Sequence, residues 1–453
     1  MAPSLTKIKN VLFIIILSAF IPLTANCQES AFVKKGMHED TLRNYKEAIN
    51  YYNKAIELHS YDTGAYMGRG ATEFKLKDYK DAISDFSKAI EIYPDYENAY
   101  AARAIAEFLI HDTLDSHRDV NKAFALDSTD PMVFATYANI KYSERDYKSA
   151  TEYCNKIIKQ NQKNTDPYFV LYHIAINNKD YKGALDLLTK AIQLDTIYSE
   201  GYRSRGELEL SLNNYQSALT DLNKAIQLDS NDAELYNDRI KANFNMQNYQ
   251  AALSDCNRAL RYDPKNYTAY VNLANVMYVT KKYNEAIKNY DIAIALYKKT
   301  EVSDSVLSDT YGYRAMTKWA LLHYSDAFDD YDKSIEIFPR NSNAYIARGQ
   351  SKAYMKDYDG AIQDYNIAET IDPGNFQLYD SRGAARSWKN DFHGAMQDCN
   401  KVVELRPDYA KGYMSRGYME NRLGDKENAC KDFIKAKELG AADADYAIRQ
   451  LCK

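Results

Sequence analysis

Glycine and proline are scarce in this 453-residue chain, at 17 and 9 residues. No stretch alternates apolar and polar residues as a half-buried strand does, so the chain is expected to be all-α. Histidine is also sparse. Its seven copies (His38, His59, His111, His117, His173, His323, His393) are scattered, and only His111 and His117 with Asp112 and Asp115 form a cluster. That cluster falls between two helical patterns, where solvated turn residues are the default, so no metal site is expected. There is no phosphate-cradling glycine loop, no GxSxG and no HExxH, which removes the common hydrolase and nucleotide-binding signatures. A net charge of −5 with both signs mixed along the helices argues against nucleic acid. The one long apolar run, Val11 to Ile21, is too short for a comfortable membrane span. No catalytic residues and no cofactor are expected, and the chain reads as non-enzymatic.

What the chain does have is a period. Residues 63–96 form a unit of 34 residues with Tyr66 at place 4, Gly70 at place 8 and Tyr79 at place 17. Ala82, Phe86, Ala89 and Pro94 follow at places 20, 24, 27 and 32. Tyr66, Gly70 and Phe74 step by four and share one helix face; Ala82, Phe86 and Ala89 do the same on a second helix. Lys77-Asp78 is short and polar, so the two helices form an antiparallel hairpin. Small residues let the backbones approach, and Pro94 stops the second helix.

This skeleton resembles the tetratricopeptide repeat, which has the same aromatic–small–aromatic–Ala–aromatic–Ala–Pro pattern at this period. Repeats run in phase from 29 to 300 as eight units, and from 308 to 443 as four more. The resemblance implies an α-solenoid, a right-handed superhelix of about twelve hairpins, with residues 444–453 as a C-terminal capping helix. Residues 301–307 (EVSDSVL) are extra and are read as an insertion and candidate hinge. Residues 1–27 read as a signal peptide: Lys7 and Lys9, the apolar run, then Ala25-Asn26-Cys27. The protein is therefore expected to be exported to a periplasm, cell envelope or exterior. The alternative is a lipoprotein anchored at Cys27, although Asn26 departs from the small residue usual before such a cysteine.

Tyrosine is abundant, with 41 copies, but places 4 and 17 absorb 19 of them as packing residues. Place 7 is Arg and place 23 is Asp in the same eight repeats: Arg69 with Asp85, Arg103 with Asp119, Arg205 with Asp221, Arg239 with Asp255, Arg314 with Asp330, Arg348 with Asp364, Arg382 with Asp398 and Arg416 with Asp432. Residues that change together within one chain are expected to touch, and an Arg fork can hold a carboxylate with two bonds. Cys154, Cys256 and Cys399 all stand at place 24 and read as small buried apolar residues. Cys430 and Cys452 stand about equally far from a bend at 440–442 and are a candidate disulfide.

The resemblance also implies a use. First helices of the family line a concave face whose places 2, 5, 9, 12 and 13 contact ligands. Here places 12 and 13 supply Phe74, Phe108, Tyr142, Phe244, Tyr278, Trp319, Tyr354 and Trp388 as a groove for a peptide or protein segment. The Lys–Asn pair of chaperone-tail binders, at places 5 and 9, is absent; repeat 7 has it reversed as Asn237 and Lys241. The expectation is an interaction scaffold in the cell envelope. The alternatives are a glycan-binding envelope protein or an auxiliary subunit of an enzyme complex.

Overall fold

The computed structural model describes residues 31–42, 44–299 and 302–452. The signal-peptide reading of 1–27 and the acylation alternative at Cys27 lie outside the described residues. Among those residues the chain forms 25 helices and no strand. It divides into two compact units, residues 1–230 and 231–453. The division falls between the sixth and seventh repeats. Each unit holds six hairpins stacked in sequence order, an α-solenoid, and the second ends with one more helix.

Repeat 2 shows why the hairpin forms. Asp62 caps the first helix (Thr63–Leu76), its carboxylate accepting from the Ala65 amide at 3.1 Å. At the other end Lys77 adopts φ +70°. The Asp78 amide then donates to the Glu73 carbonyl and the Lys77 amide to Phe74. This pair of bonds satisfies the last carbonyls and reverses the chain within two residues. The second helix (Tyr79–Ile92) follows at once and buries Ala82, Phe86 and Ala89 against the first. Fully burying a ring such as Phe86 stabilises by about 2–3 kcal/mol. Gly70 makes the approach possible, because a Cβ there would stand 2.9 Å from the Phe86 ring. The same left-handed turn recurs at the same place in the next ten repeats, with glycine only at Gly424.

Two details differ from the sequence expectation. Residues 304–307 of the insertion are helical: they lengthen the first helix of repeat 9 to Asp304–Ala320, 17 residues against the usual 13 or 14. Ser303 caps this added turn and Asp304 stands in it, favouring a helix start, while Leu307 is buried. The insertion lies inside the second unit. The terminal helix is shorter than expected, Ala444–Leu451. Ala444 and Ala447 pack on Met414, Phe433 and Ala436, and Cys430 is joined to Cys452 across a separation of 22 residues. An eight-residue helix is too short to persist alone. In the chain-entropy view a cross-link of this span removes about 3 kcal/mol of unfolded-state freedom.

Candidate functional site

Each of the eight place-7 arginines holds the place-23 aspartate of its own hairpin through two nitrogens. Nε and Nη2 of Arg69 donate to Asp85 at 2.7 and 2.6 Å. The corresponding bonds run from Arg103 to Asp119, Arg205 to Asp221 and Arg239 to Asp255. The others run from Arg314 to Asp330, Arg348 to Asp364, Arg382 to Asp398 and Arg416 to Asp432. The aspartates are buried and the arginines mostly half-buried. The guanidinium of Arg69, Arg103, Arg239, Arg314, Arg348, Arg382 and Arg416 lies over the place-4 ring, as Arg348 does over Tyr345 at 5.6 Å. So the place-4 tyrosines do more than fill space; they cover a charge.

Sequence reasoning missed a third partner. Nη1 of Arg69, Arg103, Arg205, Arg314, Arg348, Arg382 and Arg416 reaches back to place 25 of the preceding hairpin: Asn53, Ser87, Thr189, Asp291, Asp332, Asn366 and Asn400. The arginine thus ties its own helices together and its repeat to the one before. Place 25 varies among Asn, Ser, Thr and Asp, so no single residue type marks it. Where the pair is absent, other contacts stand in: Lys35 lies over the Tyr51 ring at 5.8 Å, Tyr137 and Tyr153 stack at 4.8 Å, and Leu171 and Leu187 pack into two neighbouring apolar clusters.

The eight aromatics expected to line a groove do not share one environment. Phe74 and Tyr142 are 2% and 5% exposed and belong to the core. Phe74, Tyr142, Phe244, Tyr278 and Trp319 each pack on the place-17 aromatic of the same hairpin, at 4.5–5.8 Å. Place 17 opens the second helix just past the turn, so it captures the place-12 ring before that ring can face outward. Phe108 is half-buried against Ala104, Val120 and Ile140. Only Tyr354 and Trp388, at place 13, stand free at 67% and 59% exposed. Tyr354 meets Trp319 edge-on at 5.7 Å, and Trp388 lies against Tyr358 at 5.5 Å.

The first helices of the second unit also carry exposed residues at places 2, 6 and 9: Tyr313, Met316, Asn343, Gln350, Gln377 and Tyr418. In the first unit places 6 and 9 of repeats 3 and 4, Ala102, Ile105, Thr136 and Asn139, are buried. The first-helix face is therefore more open in repeats 9–12 than in repeats 3 and 4, and repeat 7 is open at Glu234 and Lys241 as well.

Tetratricopeptide-repeat family models match residues 30–60, 64–96, 200–232 and 244–301. The chain belongs to the tetratricopeptide-repeat family. Solved structures similar to this tetratricopeptide-repeat protein include yeast Tom70, 18% identical over 92% of both chains with a TM-score of 0.48. The APC/C hetero-tetramer Cut9–Hcn1 is 10% identical over 95% of this chain and 97% of that one, TM-score 0.47. A tetratricopeptide repeat protein from Parabacteroides merdae is 20% identical over 56% of this chain and 99% of its own, TM-score 0.42. No curated protein matches the chain.

Among the described residues no group of three or more His, Cys, Asp or Glu could hold a metal ion. His117 turns Nδ1 to the Thr113 carbonyl at 2.6 Å and Nε2 to Glu144 of the next hairpin at 2.7 Å, tying two repeats together. Cys154, Cys256 and Cys399 are free and buried, and desolvation pushes each thiol up to about 12. Buried thiols of this kind are unreactive.

Proposed function

We propose that this protein is a non-enzymatic scaffold that binds a peptide or protein segment on the first-helix face of repeats 9–12. The observation that carries the reading is the exposure of Tyr354 and Trp388 beside Gln350, Asn343 and Gln377 on that face. Rigid rings contribute large contact area at small entropic cost, and neighbouring amides can pair with a bound backbone. The family membership supports an interaction role, since the fold supplies surfaces and hinges on no chemistry of its own. The N-terminal Lys7, Lys9 and apolar run support export, which places the partner in the cell envelope.

The test is affinity capture with the full chain and with Tyr354→Ala/Trp388→Ala, using Ile197→Ala, at an exposed residue of the first unit, as control. A partner retained by the parent and the control but lost from the double variant, with melting unchanged, is the expected result. Equal capture by all three would remove the site. Cell fractionation tests the location, and a protein found only in the cytoplasm would contradict it. The two exposed rings also suit stacking on sugar. Saturable quenching of Trp388 fluorescence by envelope glycans, with no protein captured, would favour that second reading.

A further inference from the structure

The residue at place 11 lies one turn after the place-7 arginine and approaches the same buried aspartate. In four repeats it is a hydrogen-bond donor to that aspartate. Lys318 reaches Asp330 at 2.8 Å, Lys352 reaches Asp364 at 2.8 Å, and Arg386 reaches Asp398 at 2.9 Å. Asn243 donates to Asp255 at 3.4 Å. In repeats 2, 3 and 12 the slot holds Glu73, Glu107 and Glu420 instead. A carboxylate cannot donate; a carboxylic acid can. In all three one oxygen, Oε2, is buried without a hydrogen-bond partner, a costly arrangement for an ionised group.

We infer that Glu73, Glu107 and Glu420 are held as carboxylic acids beside Asp85, Asp119 and Asp432. They are proton-binding sites that make repeats 2, 3 and 12 loosen as the pH rises, while repeats 7, 9, 10 and 11 keep a permanent donor in the same slot.

The surroundings support this from every side. Glu73 faces Arg69 on its own helix at 3.9 Å, and Asp85 and Asp81 on the second helix; from the preceding hairpin Asn53 bonds Arg69, and Asp40 bonds Thr72 and Lys75 of the same helix. Glu107 faces Arg103 at 3.6 Å, with Asp119, Asp115 and Asp112 opposite. Arg118 bonds Asp115 at 2.8 Å and comes within 3.9 Å of Asp119, and Ser87 of the preceding hairpin bonds Arg103. Glu420 faces Arg416, Asp432 and Asp425, with Lys431 nearby but bonded to Glu427. In each case the arginine's fork is already spent on the aspartate. Desolvation first, and the neighbouring aspartate second, outweigh the single guanidinium and push Glu73 and Glu107 up to about 8 and Glu420 to about 7. Glu209 of repeat 6 occupies the same place but is half-exposed and accepts from Asn214 at 2.7 Å.

The sign follows from linkage. A carboxyl whose folded value lies above its unfolded value keeps its proton longer in the folded chain. Stability from these groups is complete below about pH 4.5 and is lost as pH rises through about 7 to 8. Thermal melting of the full chain, compared with Glu73→Gln/Glu107→Gln/Glu420→Gln, tests it, because Gln supplies the fixed donor that Asn243 supplies in repeat 7. The parent should lose melting temperature between about pH 5 and pH 8, and the triple variant should lose much less. Parallel curves would overturn the inference. Should the variant fail to fold, infrared spectra of the parent in heavy water decide. Protonated carboxyl stretches at neutral pH that vanish on alkalinisation support it, and their absence overturns it.

Discussion

The first helix of repeat 3 (Glu97–Leu109) and that of repeat 10 (Ser342–Tyr354) share one frame and meet different fates. Both carry the place-7 arginine, locked to Asp119 in one and Asp364 in the other. In repeat 3 the remaining surface is alanine-rich, and Ala99, Ala101, Ala102, Ala104, Ile105 and Ala106 are all buried. In repeat 10 Asn343, Gln350 and Tyr354 stand in solvent. Small side chains let neighbouring helices close over a face; long polar and aromatic ones hold it open. The repeat's skeleton therefore sets the hairpin, and the residues it leaves unspecified decide whether a hairpin serves the core or a partner.

Removing the shared arginine should break the comparison most strongly. Arg103→Leu leaves Asp119 beside Glu107 with only the distant, exposed Arg118, and should cost about 3–5 kcal/mol in denaturant melts. Arg348→Leu leaves Lys352 on Asp364 and should cost clearly less. Adding Asp364→Leu should recover part of that loss, as the natural Leu171 and Leu187 pair of repeat 5 suggests. Equal losses for Arg103→Leu and Arg348→Leu would show that the place-11 residue does not matter. Place 9 gives the next largest contrast. Ile105→Ala should cost about 2–4 kcal/mol through the cavity it leaves. Gln350→Ala, at the same place of the open helix, should stay within about 0.5 kcal/mol. The smallest effect belongs to the left-handed turn that recurs at place 15, tested at repeat 9. Leu322→Gly relieves an exposed, left-handed leucine at φ +65° and should stabilise by up to about 1 kcal/mol. A loss there would mean that the leucine side chain packs in a way its exposure does not show.

The frame was legible in the sequence because packing constrains it at fixed spacing. Place 20 must be small where two backbones meet, and place 24 must fill the gap beside it, so period and hairpin could be read directly. The Arg–Asp contacts were legible for another reason: both residues disappear from the same four repeats. The place-11 slot was not, since Glu, Asn, Lys and Arg all occupy it and only the buried aspartate shows that each must donate. The aromatics at place 12 misled. Spacing puts Phe74 and Tyr142 on the first helix, but only side-chain direction shows that the place-17 ring takes them inward. The helical turn at 304–307 was legible in part, through Ser303 and Asp304, and was hidden because those residues break the period.

On the proposed function, partners meet the first helices of repeats 9–12 and not the first unit. Site-directed photo-crosslinking in cells tests it most directly, with the crosslinking residue placed at Gln350 or Trp388 and, as control, at the exposed Ile197. One discrete protein adduct is expected from both second-unit positions and none from 197. The same adducts from all three positions, or none from 350 and 388, would contradict it.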